Sequence, residues 1–477
     1  MMTEPSHAHA LTRFANLYEV VGSLWRSRSR VYAQAADLMM ALTAATLPWS
    51  TTATAVFVIL WLIMIVPTLD WDEFVRDLAH PAFALPLLFF GLADIGILWS
   101  DGMFGQSLHG LNSVSKLLLI PFLLYHFARS GRTSWILVAF LGSCTLLMLL
   151  SWIVAIDPSF KLSATASRGV PVKNYIDQSQ AFTLCVFVLA WLVLAMVRRR
   201  RLGVAAGLSA LMSAFLANML FVVSARTALL YMPVLLVVFT TRHLDRRTAL
   251  AIFAASAVAA VAVWMTSSYL RQRVADISVE YHGYETNTSA STAQRLIYWR
   301  KSLKFIAAAP LLGHGTGSIR SLFEMDAIGQ TGLQAEIVNN PHNQTLNVAI
   351  QWGIPGVVIL YAMWFAHLRL FRGDSLPGWI GLAVVVQNFV SSLLNSHLFD
   401  FTEGWIYVLG VGVAGGVLNG VERSVKRGEA DNECEVIDND NRAFLSECSG
   451  ARPTRDRVST FTMTCFARRR RSPRLRG

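Results

Sequence analysis

The chain alternates between long apolar runs and short polar breaks along most of its length. An apolar run of about 20 residues is the length that crosses the hydrocarbon layer of a bilayer as a helix. About twelve such runs therefore predict an all-α fold, a polytopic membrane protein with about twelve transmembrane helices. The predicted spans are 34–49, 51–69, 81–99, 113–128, 134–156, 179–197, 204–223, 226–241, 249–267, 344–368, 378–398 and 402–420.

Composition supports this reading. The 477 residues are 54% hydrophobic and only 15% charged, whereas a soluble domain is typically about 25% charged. The net charge of +11 comes mainly from short basic clusters between apolar runs and from the tail, which fits membrane topology better than nucleic-acid binding. The five cysteines show no CxxC or Cys/His spacing, so we expect neither a zinc site nor a redox site.

The positions of arginine and lysine predict the orientation of the spans. If twelve spans alternate, the basic clusters collect on one side, which the positive-inside rule makes cytoplasmic. Both termini are then cytoplasmic, and the polar N-terminus lacks the features of a cleaved signal peptide. The clusters on this side are the N-terminal arginines, Arg129 with Arg132, the run Arg198 to Arg201, Arg242 with Arg246 and Arg247, Arg369 with Arg372, and Arg423 with Lys426 and Arg427.

These spans divide the chain into five predicted parts. They are a cytoplasmic N-terminal segment (1–30), transmembrane helices one to nine (31–267), a periplasmic catalytic loop (268–343), transmembrane helices ten to twelve (344–420) and a charged cytoplasmic tail (421–477). We expect the tail to be disordered, because it consists of an acidic block followed by a basic block.

The periplasmic loop has its own apolar pattern. Leu296, Trp299, Leu303 and Ile306 recur at helical spacing, with basic residues between them. This pattern predicts an amphipathic helix that lies in the membrane interface. The glycine turn Gly313-x-Gly315-x-Gly317 follows, and it lacks the Lys-Ser/Thr of a P-loop. We therefore interpret it as a turn that allows close backbone approach.

A cluster of polar residues stands immediately before the tenth span. Asn340, Pro341, His342 and Asn343 precede a long apolar stretch. Histidine is the only side chain whose unperturbed pKa, about 6.5, lets it take up and release a proton near neutral pH. We interpret His342 as a catalytic base at the membrane surface. The alternative is that Asn340, Pro341 and His342 only cap the helix.

Positive charge on the outer side is the second chemical signal. Arg226 stands at the outer end of a helical hairpin, where a guanidinium is costly unless it meets an anion. Arginine binds phosphate through two parallel hydrogen bonds, so Arg226, Arg295 and Lys116 are candidates to hold a diphosphate. The alternative for Arg226 is that it reaches lipid headgroups. Elsewhere, His314 is a second candidate for proton transfer, and His397 with Asp400 is a candidate to orient His342.

Together these residues resemble the O-antigen ligase and O-antigen polymerase family of bacterial envelope glycosyltransferases. The resemblance covers about residues 35–420, and its motifs occur in a consistent order relative to the spans. They are Asn340-Pro341-His342-Asn343 followed by Gly353 and Gly356, Ser224-Ala225-Arg226, Arg295 with Trp299, Pro310 with Gly313-x-Gly315, and Lys116. At the hairpin the family often has Ser-Arg-Gly instead of Ser-Ala-Arg.

The resemblance implies an inner-membrane enzyme without metal or cofactor. It would move a glycan from undecaprenyl diphosphate to a sugar hydroxyl of lipid A-core in the periplasmic leaflet. The implied site consists of His342 as the base, Arg226, Arg295 and Lys116 on the diphosphate, and Asn340, Asn343 and Trp299 in support. The implied partners are the lipid-linked glycan donor, the glycan acceptor and membrane lipid.

Three alternatives stay open at the level of sequence. A polysaccharide polymerase and a protein O-oligosaccharyltransferase would use the same donor chemistry, and only the acceptor pocket separates them from a ligase. A transporter of lipid-linked glycan belongs to another class, and transporters commonly contain inverted repeats. We find no such repeat, and the unusual charges lie at the outer rim, which favours an enzyme.

Overall fold

The computed structural model describes residues 30–163, 169–223, 225–269, 271–272, 275 and 291–447. For 291–293 and 426–447 only the backbone is described. The chain divides into two compact units, Met1–Leu418 and Asn419–Gly477. Every candidate site residue lies in the first unit, and Ser224 of the hairpin motif falls outside the described residues.

All regular elements in the described residues are helices. In chain order they are α1 (30–46), α2 (Thr51–Ile65), α3 (Trp71–Asp77), α4 (Pro81–Ile95), α5 (Phe104–Ser115), α6 (Leu119–Phe127), α7 (Thr133–Ile156), α8 (Tyr175–Arg198), α9 (Leu202–Phe221), α10 (Ala228–His243), α11 (Arg246–Thr266), α12 (Ser291–Ala308), α13 (Ile319–Ala327), α14 (Gln344–Leu370), α15 (Leu376–Ser391) and α16 (Phe401–Glu447).

The all-α membrane fold predicted from the sequence is confirmed. Within the described ranges, nine helical segments are long and apolar enough to cross a membrane. The other three predicted spans coincide with α1 and with two shorter apolar helices, α10 and α15. The number of spans that cross the bilayer stays a prediction, because length and composition alone define these candidates.

The predicted span 378–398 is too long at its outer end. Helix α15 ends at Ser391, and residues 392–400 form a loop before α16, which we call the 392–400 loop. Several of its groups bond to the start of α14 instead of continuing the helix. Ser392 O accepts from the N–H of Gln344 at 2.9 Å, and the N–H of Leu398 donates to Gln344 Oε1 at 3.1 Å.

Helix α14 contains a sharp break that the sequence pattern did not predict. Gly353 has φ +57° inside the helix, and Pro355 has no N–H to donate. The N–H of Ile354 bonds to Pro310 O at 3.1 Å. The carbonyls of Ile350 and Gln351 therefore lose their normal partners four residues later.

The glycine turn supplies the missing donors. The N–H of His314 donates to Ile350 O and the N–H of Gly315 donates to Gln351 O, both at 2.8 Å. Gly313, Gly315 and Gly317 all have positive φ, and a Cβ on each would run into neighbouring backbone. The prediction of a turn that allows close backbone approach is thus confirmed, and the turn docks the segment before α14 onto the broken helix.

The predicted helix before α14 is confirmed as α12, and only part of its predicted apolar stripe packs on the protein. Ile306 of that stripe packs on the cluster that contains Tyr298 and Phe305. Tyr298 and Phe305 are buried against Phe323 of α13. Leu296 and Leu303, two residues of the predicted stripe, are 40% and 60% exposed. One side of α12 therefore joins the core formed with α13 and α14, while Leu296 and Leu303 lie on its exposed side. The contact of that exposed side with the membrane interface stays a prediction.

Candidate active site

His342 adopts an unusual backbone conformation just before α14. Its φ is +54°, in the left-handed region that residues other than glycine seldom occupy. Its N–H donates to Asn340 Oδ1 at 2.8 Å, and the hydroxyl of Ser396 donates to the same oxygen at 2.7 Å. Asn343 caps α14 by accepting from the N–H of Leu346 at 3.0 Å. The polar cluster therefore does cap the helix, and it also presents the histidine in one fixed orientation.

The ring of His342 is held by the 392–400 loop. Nδ1 of His342 lies 2.6 Å from Oδ1 of Asn395. An amide oxygen accepts hydrogen bonds and cannot donate them, so Nδ1 carries the hydrogen. In the neutral ring, Nε2 is then the nitrogen with a lone pair, which makes it the atom that can accept a proton.

Helix α12 covers the same histidine from another side. The ring of Tyr298 stacks on the His342 ring, with centroids 6.2 Å apart and planes 28° apart. Nε1 of Trp299 donates to the carbonyl of Pro341 at 3.1 Å. Consecutive residues of α12, Tyr298 and Trp299, thus contact the ring of His342 and the backbone next to it. The supporting role of Trp299 stays a prediction.

Burial and charge together favour the neutral form of His342. Burial lowers the pKa of His342 below its usual value, and the positive charge of Arg295 lowers it further. The hydrogen bond to Asn395 and the negative charge of Glu336 act in the opposite direction and are outweighed. The ring is therefore mainly neutral at pH 7, which is the form a general base requires.

Arg295 belongs to the environment of His342. It is half-buried on α12, one turn before Tyr298 and Trp299, and its charge acts on His342. A cation beside a neutral imidazole can stabilise an anion that forms there during a reaction.

Arg226 lies in the turn between α9 and α10. Helix α8 bonds both to this turn and to the 392–400 loop. The N–H of Ala225 donates to Ser179 Oγ on α8 at 2.9 Å. The next residue of α8, Gln180, donates from Nε2 to Nδ1 of His397 at 3.0 Å. Neighbouring residues of α8 therefore bond the Arg226 turn on one side and the loop that holds His342 on the other.

Lys116 is placed differently from a surface cation. Its side chain is only 7% exposed, and Nζ donates to the carbonyls of Phe399 at 2.8 Å and Asp400 at 2.6 Å. Lys116 therefore fastens the far end of the 392–400 loop. This geometry favours a positioning role over the direct diphosphate contact expected from the sequence.

The structure does not favour two further expectations about histidines, the proton-transfer role of His314 and the orienting role of His397 with Asp400. Both ring nitrogens of His314 face acceptors: Nδ1 lies 2.7 Å from Asp101 Oδ2, and Nε2 lies 3.0 Å from Phe305 O. This geometry suits a structural role better than proton transfer. The side chain that is hydrogen-bonded to the His342 ring is Asn395, and not the expected pair of His397 and Asp400.

Sequence reasoning missed Asn395, Ser396 and Tyr298. Asn395 and Ser396 lay inside a stretch assigned to a membrane span, and Tyr298 was not part of the predicted apolar stripe. The available signal was the polar triplet Asn395-Ser396-His397 at the end of an apolar run, because uncompensated polar side chains at that depth are costly. Among the described residues, no group of three or more His, Cys, Asp or Glu side chains could hold a metal ion.

Residues 211–361 match a family model described as O-antigen ligase. The matched region is about a third of the chain and contains Arg226, Arg295 and His342, whereas Lys116 and Asn395 lie outside it. Among curated proteins, none matches the chain.

Proposed function

We propose that the chain is a membrane glycosyltransferase of the O-antigen ligase type, as the match at residues 211–361 supports, and that it transfers a glycan from undecaprenyl diphosphate to a sugar hydroxyl of lipid A-core. The reaction takes place in the periplasmic leaflet of the inner membrane, with both termini of the chain in the cytoplasm. The observation that carries the proposal is the His342 ring, whose Nδ1 is bonded to Asn395 Oδ1 at 2.6 Å, which leaves Nε2 to accept a proton. Burial and the charge of Arg295 both lower the pKa of this ring.

The proposed reaction is a displacement at the anomeric carbon of the donor sugar. Nε2 of His342 takes the proton of the acceptor hydroxyl, and the acceptor oxygen forms the new bond to the anomeric carbon. The bond from that carbon to the diphosphate oxygen breaks, and undecaprenyl diphosphate leaves. Arg226 and Arg295 stabilise the negative charge that the leaving group gains in the transition state.

Neither a metal ion nor a cofactor is part of this proposal. The diphosphate is already a good leaving group, and two arginines can provide the charge stabilisation that a divalent cation would otherwise supply. Lys116 contributes indirectly, since it holds the 392–400 loop through Phe399 and Asp400.

The test is glycan transfer by purified protein in proteoliposomes that contain the lipid-linked donor and lipid A-core. We expect His342→Ala to lower the rate about 10²- to 10⁴-fold, the usual contribution of general-base catalysis. His109→Ala is the matched control, because His109 is an exposed histidine of α5, and it should transfer at the wild-type rate. Addition of a chelator should leave the wild-type rate unchanged.

Two results would contradict the proposal. Transfer by His342→Ala at the wild-type rate would show that His342 is not the base. Loss of transfer with the chelator would show that the reaction needs a metal ion. The same assay without lipid A-core identifies the acceptor class: a polymerase would join donor units to one another, whereas the proposed ligase makes no product.

A further inference from the structure

The contact between His342 and the 392–400 loop points to a residue with a defined role. We infer that Asn395 is the positioning residue that keeps the hydrogen of His342 on Nδ1 and so makes Nε2 the proton acceptor. This inference rests on the proposed function, in which His342 is the base. It adds a residue that lies outside the region matched by the family model.

The chemistry of the two side chains carries the inference. A neutral imidazole has one hydrogen that can sit on either nitrogen, and only one of the two forms leaves Nε2 available. The amide oxygen of Asn395, 2.6 Å from Nδ1, stabilises the form with the hydrogen on Nδ1. A carboxylate would do the same but would also attract a proton to the ring, whereas an amide selects the tautomer without adding a negative charge.

Asn395 is itself held in place by bonds on both sides of it. Nδ2 of Asn343 donates to the carbonyl of Leu393 at 2.8 Å, and the neighbouring Ser396 donates to Asn340 Oδ1 at 2.7 Å. The same Asn340 oxygen accepts from the N–H of His342. The ring of His342 is therefore bonded to Asn395, and its backbone N–H is linked through Asn340 to the adjacent Ser396. These bonds limit how far Nε2 can move.

The other ionisable groups around the ring come from three elements. Arg295 and Tyr298 lie on α12, Glu336 lies in the segment before Asn340, and His397 lies on the 392–400 loop. Arg295 disfavours a charged His342, and Glu336 favours it. The residue that hydrogen-bonds directly to Nδ1 is the uncharged Asn395. The effect of changing it can therefore be separated from the effects of the charged neighbours.

The first test compares rate profiles across pH for the wild type, Asn395→Asp and Asn395→Ala. Asn395→Asp keeps an acceptor for Nδ1, so its rate at high pH should stay close to wild type. Its carboxylate raises the pKa of His342, so the midpoint of the acidic limb should move up by about one pH unit, and the rate below that midpoint should fall about tenfold.

Asn395→Ala removes the acceptor and should behave differently. We expect its high-pH rate to fall about 10- to 100-fold, the range seen when a group that orients a functional histidine is removed. Its acidic limb should not move to higher pH. Asn112→Ala, which changes an exposed asparagine of α5, is the matched control and should reproduce the wild-type profile.

A second measurement needs no substrate. In protein with ¹⁵N-labelled histidine, the signals of His342 are identified by their absence from His342→Ala, and their shifts show which nitrogen carries the hydrogen. We expect the hydrogen on Nδ1 in the wild type and in Asn395→Asp, and a loss of this preference in Asn395→Ala.

The outcomes separate this inference from the proposed function. A hydrogen on Nε2 in the wild type, a wild-type rate in Asn395→Ala, or equal losses in both Asn395 variants without a shift of the profile would overturn the inference alone. Wild-type transfer by His342→Ala would instead overturn the proposed function. If Asn395→Ala does not fold, the wild-type spectrum and the Asn395→Asp profile still decide the question.

Discussion

At the scale of residues, the proposed chemistry depends on the state of one imidazole. Burial and the charge of Arg295 lower the pKa of His342, while Asn395 positions the remaining hydrogen. A base with a lowered pKa is unprotonated over a wider pH range but accepts a proton less readily, so its working range lies around and above neutral pH. The rate should therefore be constant at neutral pH and fall as the pH drops through the lowered pKa.

The two arginines can be tested separately from the histidine. Arg226→Ala and Arg295→Ala should each reduce transfer about 10²- to 10³-fold, the usual effect of removing one donor to a developing negative charge. Lysine at either position should restore part of the rate, because it keeps the charge but loses the paired hydrogen bonds. Only Arg295→Ala should also move the acidic limb to higher pH, since Arg295 lowers the pKa of His342.

Arg320→Ala is the control for both variants. Arg320 is an exposed arginine of α13 that pairs with Glu324 four residues later, so its loss should leave transfer and its pH dependence unchanged. If Arg226→Ala or Arg295→Ala matched this control, the variant residue would not hold the diphosphate.

At the scale of elements, the break in α14 and the glycine turn depend on each other. The break exposes the carbonyls of Ile350 and Gln351, and the N–H groups of His314 and Gly315 satisfy them. An unsatisfied carbonyl inside a membrane protein costs several kcal/mol, so each feature would be unstable without the other. The break lies three helical turns after His342, and the docked turn therefore links the segment before α14 to the helix that starts at the site.

Gly315→Ala tests this coupling. The position has φ +82°, and a Cβ there would meet the backbone of Ser100 and the carbonyl of Gly96. We expect the free energy of unfolding to fall by more than about 2 kcal/mol, from the left-handed conformation and the steric overlap together. The change can be measured by denaturation in detergent, alongside glycan transfer.

Gly329→Ala provides the comparison. Gly329 also has positive φ, +74°, but nothing lies within 4 Å of the position of its Cβ. It should lose only the conformational contribution of about 1 kcal/mol. Equal losses in the two variants would mean that the close backbone approach at Gly315 does not stabilise the fold.

At the scale of the whole molecule, the proposal requires the site to face the periplasm. The 392–400 loop, the start of α14, α12 and the Arg226 turn must all lie on that side, opposite the basic clusters. The connection between α14 and α15, with Arg372 exposed, is then cytoplasmic.

Cysteine labelling tests this orientation. In a variant whose five cysteines are replaced by serine, Gln330→Cys should react with a membrane-impermeant maleimide in cells with a permeable outer membrane. Arg372→Cys should react only after the inner membrane is opened, because its loop is predicted to be cytoplasmic. Both positions are exposed, so poor access does not explain a negative result. The opposite pattern would place the site in the cytoplasm.

Much of this protein follows from the sequence alone because its causes are local. The length of each apolar run determines where a helix can cross a bilayer, and the order of Arg226, Arg295 and His342 relative to those runs was enough to predict the family. The glycine turn was also predictable, since only glycine readily adopts three positive φ values so close together.

Only the tertiary structure decided how His342 is oriented. Its partner, Asn395, lies 53 positions further along the chain and inside a stretch that hydropathy alone assigned to a membrane span. Lys116 shows the same limit, because its charge predicted an anion contact while its neighbours in space are the carbonyls of Phe399 and Asp400. Hydrogen-bond partners distant in sequence are set by packing, and no local periodicity records which of them will meet.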